Sequence, residues 1–273
     1  MTRYLLAVIH AAIEAGQEIL EVYQTDFDIE HKKDDSPLTL ADKRAHAVIE
    51  RALSGFSLPI LSEEGRNIPY SERKNWDTFW LVDPLDGTKE FIKKNGEFTV
   101  NIALIDHHRP VLGVIYVPVK NILYFSSQST GAYTYMLPES ELPKTMDLDN
   151  LINVSSKLPL RAPVREFSDK RPYTIVGSRS HATPELLAFV EKKKTEYDPV
   201  EFISAGSSLK LCLVAEGKAD IYPRLGPTME WDTAAGQAIA EGSGLLVKQY
   251  GTESPLSYNK ENLLNPWFIV QGR

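Results

Sequence analysis

One cysteine stands in 273 residues, Cys212. A single thiol excludes an internal disulfide framework and any zinc site built on several thiolates. Set in LKLCLVA, it reads as a core thiol suited to a reducing compartment. Long apolar runs are also missing. Nothing approaches the ~18–20 residues of a membrane span, and Glu14 and Glu18 interrupt Leu5–Val22, so no signal-peptide layout is expected. Basic charge is short as well: 30 Lys and Arg against 37 Asp and Glu leave a net charge of −7, which argues against a nucleic-acid polymer as partner. The one dense basic run, Lys192–Lys194, follows a helical pattern and reads as a solvated last turn facing the negative end of the helix dipole. What is present, 42% hydrophobic and 25% charged residues, is the make-up of a globular chain able to bury a large core. The default is a cytosolic, enzyme-like protein.

Periodicity gives an α/β class in two unlike halves. In residues 1–136, Leu5, Ile9, Ala12, Ile13 and Ile19 have helical spacing over Thr2–Gln24, and Ala45, Val48, Ile49 and Leu53 continue a second helix from Thr39. Short strands follow at Leu58–Leu61, Thr78–Val82, Phe98–Ile105, Val111–Val117, Ile122–Phe125 and Ala132–Met136, which predicts an antiparallel sheet flanked by helices. Residues 137–172, rich in Pro, Ser, Lys and Asp, read as a connection with little regular structure. From 173 to 273 strands alternate with helices: Tyr173–Val176, a helix opened by Thr183 and Pro184, Val200–Ile203, Ser207–Glu216, Ala219–Pro223, Asp232–Glu241, Leu245–Lys248 and Phe268–Val270.

The chemistry lies where apolar runs end in acids. Glu63 and Glu64 follow one strand, Asp83 and Asp86 flank Pro84 and Leu85 after another, and Asp232 opens a helix. Brought into one crevice, such carboxylates disfavour one another's ionisation and require a cation. All-oxygen donors select a hard dication, Mg²⁺ above all. Four charges, on Glu63 or Glu64, Asp83, Asp86 and Asp232, match about two divalent ions, a pairing common in phosphoryl chemistry. Gly87 and Thr88 then begin a short helical stretch whose N–H groups suit a phosphate. Blander readings stand beside these. Asp-Pro-Leu-Asp-Gly makes a β-turn, Asp232 an N-cap, Asp42 part of a capping box, and Glu63–Glu64 a solvated loop.

LSEE at 61–64, WLVDPLDGTKEF at 80–91 and EWDTAAG at 230–236 resemble, in order and spacing, the three metal-site motifs of the inositol monophosphatase superfamily. PLTLAD at 37–42, FIKKNGEFTVNIALI at 91–105, SRSH at 178–181, GSSLK at 206–210 and YPRLGPT at 222–228 extend the resemblance to its 3′(2′),5′-bisphosphate nucleotidase branch. The resemblance implies a layered αβαβα sugar-phosphatase-like fold and two or three Mg²⁺ ions. Their ligands would be Glu63, Asp83, Asp86, the Leu85 carbonyl and Asp232. Asp42 and Thr88, with Glu63, would position the water that attacks phosphorus in line, without a phosphoenzyme. Asp86, Gly87, Thr88, His181, Ser207, Lys210, Arg224 and Asp232 would contact a phosphorylated nucleotide. The implied substrate is adenosine 3′,5′-bisphosphate or its sulfated analogue, the setting sulfur assimilation, the inhibitor lithium, and the location cytoplasmic, with peripheral inner-membrane association left open. Two other readings remain: an inositol or fructose phosphatase on the same scaffold, distinguished by Lys210 and Arg224, and a non-catalytic phospholigand sensor, which Asp42 and Thr88 argue against.

Overall fold

Leu5, Val8, Ile9, Ala12 and Ile19 form one buried stripe of a first helix, and that stripe needs a sheet to cover it. The computed structural model describes residues 2–25, 37–138, 141–143, 145–161, 171–178 and 183–272. Along the chain run α1 (Thr2–Tyr23), α2 (Pro37–Ser54), β1 (Ile60–Ser62), α3 (Tyr70–Arg73), β2 (Thr78–Asp86), α4 (Thr88–Ile92) and the meander β3 (Thr99–Asp106), β4 (Arg109–Val117), β5 (Ile122–Ser127) and β6 (Gly131–Met136). Then come α5 (Leu148–Val154), β7 (Ser156–Lys157), β8 (Tyr173–Ser178), α6 (Pro184–Glu196), β9 (Val200–Ala205), α7 (Leu209–Ala215), β10 (Ile221–Arg224), α8 (Glu230–Gly242), β11 (Leu246–Gln249) and β12 (Phe268–Gln271).

Two sheets result, a seven-stranded one in the order β1-β2-β3-β4-β5-β6-β7 and a five-stranded one in the order β11-β12-β10-β8-β9. Side chains on a strand alternate between faces, and here both faces of the large sheet are covered. Trp80, Val82, Val100, Ile102, Val114 and Tyr116 pack with α1 and α2. Phe79, Leu81, Ala103, Ile105 and Ile115 pack with Leu209, Cys212, Ala234 and Ile239 of α7 and α8 and with Val176 and Val270 of the small sheet. Beyond that sheet, Ile175 and Ile221 meet Leu186, Phe189 and Val190 of α6. The layers are therefore α1/α2, large sheet, α7/α8, small sheet, α6, the αβαβα order. Double coverage explains why the strands read as continuous apolar runs rather than alternating ones. At Gly113 a Cβ would meet the Ala235 carbonyl oxygen of α8, so only glycine lets this helix lie so close on β4.

Three expectations need correction. The large sheet is not wholly antiparallel, because β1 pairs with β2 in parallel; a chain segment containing α3 returns it to the same direction, as a parallel pair requires. The 137–172 connection is not without regular structure. Asp147 caps α5 by accepting the Asn150 N–H, Leu148 and Leu151 bury in the first core, and β7 extends the large sheet from β6. Such a short helix among prolines offers too few turns for its period to show in sequence. The later helices also start elsewhere: α2 at Pro37, α7 at Leu209 and α8 at Glu230. Hence Asp42 lies inside a helix rather than in a capping box, and Asp232 is the third helical residue rather than the N-cap.

Candidate active site

A pair of residues three apart on a regular strand points to opposite faces, yet Asp83 and Asp86 need a common one. The bulge supplies it. Asp83 pairs with Asn101 and Asp86 with Thr99, so β2 spends three steps where β3 spends two. One extra residue in β2 restores the parity and puts both carboxylates on the face shared by Asn101 and Thr99. Pro84 fits there because a bulge releases a backbone N–H from the ladder. Leu85, buried in the bulge, donates its N–H to Asp83 Oδ1 at 3.2 Å. Gly87 follows at φ +106°, a left-handed turn that starts α4 with Thr88 exposed on its first position. With five residues, α4 offers local N–H groups rather than a macrodipole.

From the other half, the first turn of α8 brings Asp232, whose Oδ2 accepts the Met229 N–H at 2.8 Å. That turn is fixed by Glu230, fully buried and satisfied by the N–H groups of Asn259 and Lys260 and by Lys260 Nζ at 2.6 Å. Glu63, next after β1, completes the cluster. One carboxylate oxygen from each of Glu63, Asp83 and Asp232 lies within 4.8 Å of the others. Sequence alone leaves Glu63 and Glu64 equivalent; in the fold Glu63 joins the group. Asp86 lies at its edge, with Oδ2 accepting from Ser208 N at 2.7 Å, Ser208 Oγ at 2.8 Å and Asn101 Nδ2 at 3.3 Å.

Such crowding, with burial, works against ionisation of each carboxyl. Asp83, 1% exposed, is pushed well above the carboxylate range by burial and then by Asp86 and Glu63. Glu63 keeps accessible surface at the rim, but partial burial of its carboxyl, with Asp86 and Glu64 beside it, pushes it up to about 7. Burial, then Asp86, takes Asp232 to about 7. Asp42, on α2, reaches about 8 through burial and then Glu64 and Glu63. Carboxylates held above their usual values carry protons that the unfolded chain has already lost, so their contribution to stability falls as pH rises from ~4 to about 8. In chelator, the Tm should therefore be lower at pH 8 than at pH 6, and Mg²⁺ should raise it more at pH 8. Calorimetry at the two pH values checks this; equal Mg²⁺ increments would contradict it.

Beside the acids, Asp86, Gly87, Glu90, Ser207, Ser208, Lys210, Arg224 and Asp232 line a cavity of about 120 Å³. Sharing Ser178, Tyr222 and Arg224 with it, a second cavity of about 240 Å³ continues between Leu186, Pro223, Leu225 and Pro227. Lys210 is a buried residue of α7. It is 5% exposed, donates to the carbonyls of Ser207 at 2.5 Å and Ala205 at 3.4 Å, and lies over the Tyr222 ring. Burial lowers its pKa to about 8. Among the described residues two of three ammonium hydrogens are engaged, which leaves one for the cavity. Arg224 is held by Nη2 donating to Pro227 O at 2.6 Å, and its buried Nε has no partner among the described residues. Ser207, in the left-handed region at φ +42°, faces Thr99 Oγ1 at 3.3 Å. His181 lies outside the described residues.

Sequence reasoning missed Asn101 and Ser208. A lone asparagine inside the apolar run TVNIALI was the signal for the first; the second was overshadowed by its neighbour Ser207.

The fold, the oxygen-only cluster and the adjoining cavity with its two cations define a chain of one class: residues 1–267 match the model of the inositol monophosphatase family, and the chain belongs to that family. Among curated relatives it is 43% identical over 268 residues to the 3′(2′),5′-bisphosphate nucleotidase CysQ of Shigella flexneri, covering 96% of this chain and 97% of that one. To the CysQ of Escherichia coli strain K12 it is 42% identical over the same shares of both chains. The crystal structure of CysQ from Bacteroides thetaiotaomicron, itself described as a bacterial member of the inositol monophosphatase family, superposes with a TM-score of 0.93 at 51% identity, covering 100% of this chain and 98% of that one. No helix among the described residues is long and apolar enough to cross a membrane.

Proposed function

We propose that this chain is a Mg²⁺-dependent 3′(2′),5′-bisphosphate nucleotidase, which hydrolyses adenosine 3′,5′-bisphosphate, or its sulfated analogue, to AMP or adenylyl sulfate and phosphate. The observation that carries it is the pairing of the clustered acids with two buried or half-buried cations, Lys210 and Arg224, on one cavity. A substrate with two phosphates uses both ends. Relatives named as nucleotidases at 42–43% identity support the same choice.

The donor set fits a hard dication: carboxylates alone, crowded, and raised in pKa by one another as well as by burial. Glu63, Asp83, Asp86 and Asp232, with the Leu85 carbonyl, would hold the ions, two or three in number. When bound, Mg²⁺ would supply a nucleophilic water near neutral pH and offset charge at phosphorus and the leaving oxygen.

The chain's own groups do the remainder. If the Asp42 carboxylate accepts the Thr88 hydroxyl hydrogen, the hydroxyl oxygen is left to accept from the attacking water, fixing its lone pair toward phosphorus. α2 and α4, which carry the pair, pack against each other. Glu63 orients the same water from the rim. Lys210 and Arg224 hold the phosphate that is not cleaved, and the forked guanidinium suits its oxygens. Gly87 lets the backbone approach the scissile group, and Ser207 flanks the nucleoside. The second cavity, walled by Leu186, Pro223, Leu225 and Pro227, offers apolar surface to the base. Cytoplasmic location suits a small soluble nucleotide.

The test is phosphate release by the purified chain in Mg²⁺ from adenosine 3′,5′-bisphosphate, inositol monophosphate and fructose 1,6-bisphosphate in parallel. The nucleotide should be turned over at least about tenfold more efficiently than inositol monophosphate, as one charge-assisted contact to the second phosphate suffices to give, and more efficiently than fructose 1,6-bisphosphate, which has a second phosphate but no base for the apolar cavity. Preference for inositol monophosphate would reassign the chain within the family, and no hydrolysis at all would favour a phospholigand sensor.

A further inference from the structure

Ser208 stands at the N-cap of α7, where a serine ordinarily turns its oxygen onto the N–H groups of its own helix. Here it makes no such capping bond. Its Oγ instead reaches Asp86 Oδ2 at 2.8 Å and the Asp232 carbonyl oxygen at 2.6 Å, and receives Asn101 Nδ2 at 2.9 Å. The Ser208 backbone N–H takes the same Asp86 Oδ2 at 2.7 Å. Asn101 is oriented in turn, because its Oδ1 accepts from Thr99 Oγ1 at 2.9 Å, leaving Nδ2 free to donate toward both Ser208 and Asp86 Oδ2. All three side chains, Ser208, Asn101 and Thr99, are at most 2% exposed, so water does not compete for these bonds.

We infer that Ser208 and Asn101 are positioning residues that commit Asp86 Oδ2 to the protein, so that Asp86 presents Oδ1 alone to a cation, and that Ser208 locks this acid of the first half to the Asp232 turn of the second. The inference rests on the reading of the acidic cluster as a cation site. A carboxylate with one oxygen engaged by N–H and O–H donors cannot swing or chelate with both oxygens. The hydroxyl carries one hydrogen and serves Asp86 and the Asp232 carbonyl one at a time; neither helix end depends on it for capping. Its loss therefore loosens ligands from both halves at once, whereas the Ser208 N–H, being backbone, survives substitution. Left-handed Ser207 immediately before it turns the chain toward β2, a conformation of a non-glycine residue that costs free energy and is retained at sites that use it.

The test is Mn²⁺ binding by isothermal titration calorimetry, with no nucleotide present, to the full chain and to Ser208→Ala, Asn101→Ala, the double variant and Ser208→Thr, together with the Tm of each in chelator. Ser208→Ala and Asn101→Ala should each weaken Mn²⁺ about ten- to a hundredfold. The double variant should lose less than the product of the two, since both act on one oxygen, and Ser208→Thr, which keeps a hydroxyl, should stay nearest the parent. If Ser208→Ala does not fold, Asn101→Ala carries the same comparison. Parent-like Mn²⁺ affinity in the alanine variants, with only the chelator Tm lowered, would show a purely structural role and overturn the inference while leaving the cation site intact. A parent chain that binds no Mn²⁺ would overturn the cation reading itself, and this inference with it.

Discussion

Asp83→Asn should reduce phosphate release by roughly 10³-fold or more, the scale of several kcal/mol of lost charge stabilisation at the reacting phosphate. The reasons are local. Asp83 is 1% exposed, it shares an oxygen cluster with Glu63 and Asp232, and it pairs with Asn101 at the edge of the bulge. Asparagine has the same shape and retains an oxygen for the Leu85 N–H, but carries no charge. The same substitution should therefore raise the Tm in chelator at pH 8, because it deletes the most deeply buried of a set of mutually repelling carboxylates. Activity and metal-free stability should move in opposite directions. Loss of both would mean that Asp83 is a structural residue, and retention of activity would remove it from the metal site.

Lys210→Met and Arg224→Ala should each lower kcat/KM for adenosine 3′,5′-bisphosphate about ten- to a hundredfold, the worth of one charge-assisted contact of about 1.5–3 kcal/mol. Hydrolysis of inositol monophosphate, which has no second phosphate to offer, should barely change. Methionine suits position 210 because the side chain is buried over the Tyr222 ring, and an unbranched apolar chain fills that space without leaving a cavity. Its backbone partners, the carbonyls of Ser207 and Ala205, would lose the ammonium, so the circular-dichroism spectrum and Tm are read alongside. Parallel losses on both substrates would assign the two cations to the fold or to the ions rather than to the second phosphate.

How far the sequence announced this arrangement depended on whether a feature was local. Asp83 and Asp86 declared themselves as acids closing the run FWLV, and Pro84 between them marked a break in the ladder. The break proved to be a bulge within a longer strand rather than a turn after a shorter one, since only pairing with Asn101 and Thr99 reveals the extra residue. The two unlike halves were visible as a change from a strand meander to alternating strands and helices, whereas the five layers were implied only by the family resemblance. By contrast, α5 was hidden because its two buried leucines complete barely two turns, and the parallel β1 was hidden because direction is not written in a three-residue strand. Long-range relations were the least legible: nothing in LSEE separates Glu63 from Glu64, and nothing in GSSLK says that the second serine abandons its helix for the Asp86 carboxylate of one half and the Asp232 backbone carbonyl of the other. The burial of Lys210 was illegible for the same reason, since the ring that it lies over belongs to β10.

In the function proposed above, clustered carboxylates from two halves of the chain form one cation site that removes a single phosphate from a bisphosphorylated nucleotide. The most direct measurement is the product analysis of adenosine 3′,5′-bisphosphate incubated with the purified chain, with Mg²⁺ and in excess chelator, AMP and phosphate being quantified together. AMP and phosphate should appear in equal amounts with Mg²⁺ and neither above background in chelator. Sustained phosphate release in chelator, or conversion onward to adenosine with two phosphates per nucleotide, would contradict that function.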